Sequence, residues 1–166
     1  KVIVSTVLLS LVVMGVAGSA LNSQLSRGIK EVNLNTALVE ARSTLFTAEY
    51  RFLLAQGEPD SVVQKVVDDV ISSATSLTAN ENAREVVFIR SPGNTRENNY
   101  EIASNLLDPN SIPPSLSERV RKKPDLVYQY TNLNYLTGTR VKGLAIGQKV
   151  QIPNAGQYEM YIIFSL

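Results

Sequence analysis

The sequence has no cysteine, no histidine and no tryptophan. Without a thiol or an imidazole it cannot build a thiolate nucleophile, a Ser-His-Asp triad or the usual zinc sites. Disulfides are excluded too, so the chain carries no mark of its redox compartment. Charge is scarce: charged residues make up 19% and the net charge is +1, too weak a field to gather nucleic acid. No catalytic centre, no cofactor, no metal site and no nucleic-acid partner are therefore expected. What is present in quantity is apolar, 44% of 166 residues, which excludes a disordered tail. That length suits one domain with its own core plus an anchoring segment.

Proline is absent over the first third of the chain. Val2 to Leu21 is a run of 20 uncharged residues, long enough to cross a hydrocarbon layer of about 30 Å at about 1.5 Å per residue. Three readings fit it. The small residues Ala17, Gly18, Ser19 and Ala20 resemble a signal-peptide cleavage region. A buried core helix is the second, although such helices usually keep a polar face. A retained membrane anchor over residues 1–22 is preferred, because the helical pattern continues without a stop signal past Leu21. Gly15, Gly18 and Ser19 would allow two such helices to approach closely.

From Leu21 to Gln56 there is no proline and the only glycine is Gly28. Ile29, Val32, Thr36, Val39, Ser43, Phe46, Tyr50 and Leu53 recur at alternating spacings of three and four, the pattern of a helical a/d seam. Leu34, Leu38, Ala41, Leu45, Ala48 and Phe52 form a second stripe on a roughly opposite face. One stripe needs one partner; two need two. The expectation is that one covers the sheet of its own domain and the other meets a second copy. A helix buried on both sides within a single core is the alternative.

Gln56-Gly57-Glu58-Pro59 reads as a glycine stop followed by a proline suited to the next helix, which runs to about Leu77 on a stripe of Val62, Val63, Val66, Val67, Val70 and Ile71. Arg84–Arg90 reads as a strand. Thr95–Pro114 is polar and proline-punctuated, a surface excursion with one helical turn around Ile102–Leu106. Ser115–Lys122 reads as a short helix whose Ser-Leu-Ser-Glu start permits a capping box. Strands come next at Leu126–Thr131, Arg140–Ile152 and Gln157–Leu166, joined by short turns, which implies an antiparallel sheet. On β-alternation Leu144, Ile146, Val150 and Ile152 share one face, while Gly143, Ala145 and Gly147 leave room for close approach on the other. Helices first and strands last give an α+β architecture.

Little chemistry remains. Asp68 and Asp69 diverge on consecutive helix positions and read as a solvated face. Arg119, Arg121, Lys122 and Lys123 are the densest basic cluster. An ordinary solvated loop is the plain reading; a docking surface for an anionic ligand, a lipid headgroup or an acidic partner is the functional one. Tyr128, Tyr130, Tyr135, Tyr158 and Tyr161 gather in the strands and read mainly as sheet packing.

The opening Lys1-Val2-Ile3-Val4-Ser5-Thr6-Val7-Leu8-Leu9-Ser10 and the closing Tyr158-Glu159-Met160-Tyr161-Ile162-Ile163-Phe164-Ser165-Leu166 resemble the N-terminal region of the MtrB-type actinobacterial sensor histidine kinases. Tyr128-Gln129-Tyr130 and Gly143-Leu144-Ala145-Ile146-Gly147 fit the same pattern. The likeness is weak from about Glu58 to Pro124 and involves no catalytic motif. It implies a transmembrane and juxtamembrane helix leading into a PAS- or Cache-like extracytoplasmic sensor domain at the cell membrane, residues 23–166, with a leading helix over 23–56. It further implies a homodimer, contact with membrane lipid, an LpqB-like lipoprotein partner, and an MtrA response regulator reached through cytoplasmic parts beyond Leu166. With no histidine, no phospho-acceptor can be assigned here. The rival expectation is a membrane-tethered scaffold that binds a partner lipoprotein and has no kinase activity.

Overall fold

Residues 34–54 form helix α1 in the computed structural model, which describes residues 34–75, 84–100, 102–103 and 107–165. The chain divides into two units, Lys1–Val39 and Glu40–Leu166. In the first, the described residues 34–39 are helical. In the second, α1 gives way at residues 55–57 to a turn in which Gly57 takes a positive φ of 84°. That conformation suits glycine, which has no Cβ to clash. Helix α2 (Asp60–Thr75) comes directly after it, as the Gly-Glu-Pro sequence predicts.

The remaining elements are β1 (Arg84–Arg90), β2 (Ile102–Ala103), a 3-10 turn at Pro109–Ser111, α3 (Pro114–Lys122), β3 (Val127–Asn134), β4 (Arg140–Ile152) and β5 (Gly156–Ser165). The strands form one antiparallel sheet in the order β2-β1-β5-β4-β3. β5, last in sequence, is central: Ile162 pairs with Val86 on one side and with Ile146 on the other. Alternation then sends Tyr158, Met160, Ile162 and Phe164 to one face, and Glu159, Tyr161 and Ile163 to the other.

The first face is covered by helices. Phe52 of α1 meets Phe88 of β1 edge-on, ring centroids 6.3 Å apart, and Ala41, Leu45, Ala48 and Phe52 are all buried. α2 buries Val63, Val67, Val70 and Ala74. Polar ties fix the borders: Gln148 Nε2 donates to Glu49 Oε1 at 3.0 Å, and Arg84 reaches Glu40 at 3.4 Å. On the second face, Leu107, Ile112, Leu116 and Val120 pack over Val87, Ala145, Tyr161, Ile163, Val127 and Leu133. The small residues of β4 make that approach possible. A Cβ added at Gly147 would stand 2.9 Å from the Val120 side chain and closer still to the Tyr161 ring.

Four expectations are corrected. The expected fold was an α+β, PAS- or Cache-like head led by a transmembrane helix; the described residues form an α+β unit, but among them no helix is long and apolar enough to cross a membrane. The reason is physical. Residues 34–54 carry Glu40, Arg42, Glu49 and Arg51, and a charge at mid-membrane costs about 2.5–3.5 kcal/mol. The 16 residues of α2 span only about 24 Å at about 1.5 Å per residue. The run Val2–Leu21, and with it the expected span 1–22, lies outside the described residues. Second, Ile102–Ala103 is a strand paired to Val87 and Phe88, where a helical turn was expected. Third, the Thr95–Pro114 segment is no mere surface excursion, because Tyr100, Leu107, Ser111 and Ile112 are buried. Fourth, the capping box at Ser115 does not form. The helix begins one residue earlier, with Pro113 as cap and Pro114 in its first turn, where a missing N–H costs nothing.

Replacing Phe52 by Ala removes the ring that packs against Phe88 between α1 and β1. The expected loss is about 3–5 kcal/mol of unfolding free energy, read by urea denaturation. Gly147→Ala should cost about 1–3 kcal/mol through overpacking against Val120 and the Tyr161 ring; unchanged stability in both variants would contradict this packing.

Candidate functional site

The two stripes of α1 part company in the structure. The stripe of Ala41, Leu45, Ala48 and Phe52 is buried, with Leu34 and Leu38 half-buried. The candidate dimer seam is exposed at every described position: Thr36, Val39, Ser43, Phe46, Tyr50 and Leu53. Phe46 is 69% exposed and Leu53 58%, with Leu54 beside them. Helical geometry is the cause, since residues three and four apart share a face while the opposite face turns away from the sheet. Isolated exposed apolar residues are ordinary; here Val39, Phe46, Tyr50 and Leu53 recur at three- and four-residue spacing on one face of the helix. Along its border stand Arg42 and Glu49, both exposed and one heptad apart. Ile29 and Val32 of the seam, and the helix-packing residues Gly15, Gly18 and Ser19, lie outside the described residues.

The basic cluster is largely engaged within the domain. Arg119 Nη2 donates to the Tyr128 carbonyl at 2.7 Å and to Gln129 Oε1 at 3.2 Å. Lys122 Nζ donates to Glu118 Oε1 at 2.7 Å, one turn away, which holds the Glu118 carboxyl below its ordinary range. Arg121 Nε lies 3.7 Å from Glu159 Oε1. Of the four, Arg119, Lys122 and Arg121 are thus engaged by the edge strand β3, by α3 itself and by the central strand β5 respectively. Among the tyrosines, Tyr158 and Tyr161 are buried, whereas Tyr128 and Tyr130 are exposed on edge strand β3.

Sequence reasoning missed two buried carboxylates. Glu159 is fully buried in the middle of β5. Its Oε2 accepts from Ser117 Oγ of α3 at 2.6 Å, which joins α3 to the central strand, and from the Tyr161 hydroxyl two residues along β5. Burial and the Glu159 hydrogen bond push the Tyr161 hydroxyl far above the ordinary tyrosine range. Glu85 of β1 is also buried and accepts from the Tyr135 hydroxyl. Burial raises the Glu85 carboxyl, partly offset by that hydrogen bond, and raises Tyr135 as well. The available signal was positional. Glu159 interrupts the otherwise apolar run Tyr158–Phe164, and a central strand has no solvent face to give it.

Among the described residues, no group of three or more acidic side chains converges to hold a metal ion. No protein-family model matches this chain, and no curated protein matches it.

Because Ser117 and Tyr161 donate to the same oxygen of a buried carboxylate, their removal should be coupled. Ser117→Ala and Tyr161→Phe are each expected to cost about 1–3 kcal/mol. The double variant should depart from additivity by at least about 0.5 kcal/mol, measured by urea unfolding of all four proteins.

Proposed function

We infer that this chain is the sensory, signal-input region of a receptor of the sensor histidine kinase kind, placed on the extracytoplasmic side of a cell membrane. It works as a homodimer that meets its second copy through the outer face of α1. It passes a signal on by a shift of that helix against its mate. The reading is supported by one observation above all: the exposed row Ser43, Phe46, Tyr50 and Leu53 on a helix whose opposite face is packed on the sheet. A displacement of the sheet is then felt at the outer face, because a close-packed layer transmits strain instead of absorbing it.

A second copy is the favoured occupant of this face for two reasons. The three-four spacing is the one that lets two helices interlock knobs into holes. The border also carries both signs of charge, Arg42 and Glu49, so the surface complements itself better than it complements a partner of one sign. The resemblance to the MtrB-type kinases points the same way. On that reading an LpqB-like lipoprotein and membrane lipid are outside partners, and an MtrA response regulator is reached through parts beyond Leu166. Such a device needs two packings that differ by about a few kcal/mol, each favoured by a different signal state.

Since the chain has no cysteine, single-cysteine variants give a clean test. Cysteines placed singly at Ser43, Phe46, Tyr50 and Leu53 should cross-link between copies under mild oxidation, whereas Thr44 and Thr47 should react much less. Locking Tyr50→Cys in the receptor that carries this chain should change its autophosphorylation rate severalfold. Uniform cross-linking along the helix would exclude the dimer face. Periodic cross-linking with an unaltered kinase rate would exclude the signalling role.

A further inference from the structure

Glu85 sits on the α3 face of β1, only 4% exposed. One of its oxygens accepts from the Tyr135 hydroxyl, while Oε2 is buried with no hydrogen-bond partner. Tyr135 comes immediately after β3, and strands β5 and β4 lie between β3 and β1. The Glu85–Tyr135 bond therefore runs across the width of the sheet. Tyr135 does more at the same point. Its N–H donates to the Thr139 carbonyl at 2.9 Å, its carbonyl accepts from Gly138 N–H at 2.8 Å, and it bridges to Leu107. One residue thus holds the β3–β4 turn, the Leu107 segment and β1 together.

The charges around Glu85 do not neutralise it. Arg84 and Arg90 alternate to the opposite face of β1, where Arg84 reaches Glu40 and Arg90 donates to the Asn98 carbonyl. Arg140 and Lys142, at the start of β4, alternate to that opposite face as well. Arg121 of α3 and Lys149 of β4 share the Glu85 face but stand at the level of Glu159, opposite Ile89. That is four residues along the strand, roughly 13 Å at about 3.3 Å per residue. Asp108, next to Leu107, is itself acidic and accepts from Asn110. An ionised Glu85 therefore keeps one hydroxyl donor in exchange for its water, an unfavourable trade for a buried charge.

We propose that Glu85 and Tyr135 form a proton-responsive tie that fastens the end of the β3–β4 hairpin across the sheet. Neutral Glu85 stays in place, and ionisation drives the carboxyl toward water and frees the hairpin. Burial pushes the Glu85 carboxyl above its ordinary 4.5. A carboxyl raised in the folded state contributes stability that is complete below the unfolded value and is lost as pH rises through the folded one. The tie is thus firm in acid and loosens toward neutrality. It does not rest on the sensory reading.

The test uses the full 166-residue chain, with carbon NMR of glutamate carboxyls and amide hydrogen exchange at Tyr135 and Gly138 between about pH 4 and pH 8. Glu85 is expected to titrate at higher pH than exposed Glu118. Hairpin opening, corrected for intrinsic exchange, should rise severalfold over the same interval. Glu85→Gln should keep the fold and flatten that rise, and Tyr135→Phe should leave the hairpin open at every pH. Glu85 titrating together with Glu118, or an opening profile that neither variant alters, would overturn the proposal.

Discussion

Everything in this fold hangs on β5 being buried on both faces and hydrogen-bonded on both edges. It is the last strand in sequence but the middle one in space, flanked by β1 and β4 along most of its length. Such a strand has no solvent direction, so its run from Tyr158 to Phe164 must be apolar or must bring its own polar partners. The helices on one face and the 3-10 turn with α3 on the other exist, energetically, to cover it. Their apolar stripes are complementary to the two sets of residues that alternate along this one strand.

The exception on that strand explains the arrangement of α3. Glu159 is an acid where only apolar residues are cheap, and two hydroxyls plus a guanidinium at its edge gather around it. Removing one partner would leave a buried carboxyl group short of hydrogen bonds, and this makes such networks specific as well as costly. α3 is therefore held by polar register, Ser117 over Glu159, in addition to the packing of Leu116 and Val120. The basic residues that read as a docking patch in sequence are drawn into this scheme: Arg121 serves Glu159 and Arg119 caps the edge of β3.

α1 is governed by the same logic in reverse. Its inner row of small and large residues, Ala41, Leu45, Ala48 and Phe52, lets the helix lie close against the sheet at the Phe52–Phe88 contact. Nothing in that packing requires Phe46, Tyr50 or Leu53 to be apolar. Keeping large apolar groups in water carries a free-energy cost, and on this helix that cost recurs at regular spacing along one face.

Local patterns made much of this legible. Helix α2, strand β1, the two long strands β4 and β5 with their antiparallel order, and the Gly57 stop can all be read from periodicity and turn residues, because these are near-neighbour effects within one segment. The two faces of α1 were readable for the same reason, but not which one would be covered, since that depends on a sheet whose strands run from Arg84 to Ser165. β2 and the burial of Leu107 and Ile112 escaped, because a short strand borrows its conformation from the edge it pairs with. The pairings of Glu85 with Tyr135 and of Glu159 with Ser117 span 50 and 42 residues. No spacing rule reaches that far; such contacts exist only once the strand order has brought distant segments onto one face.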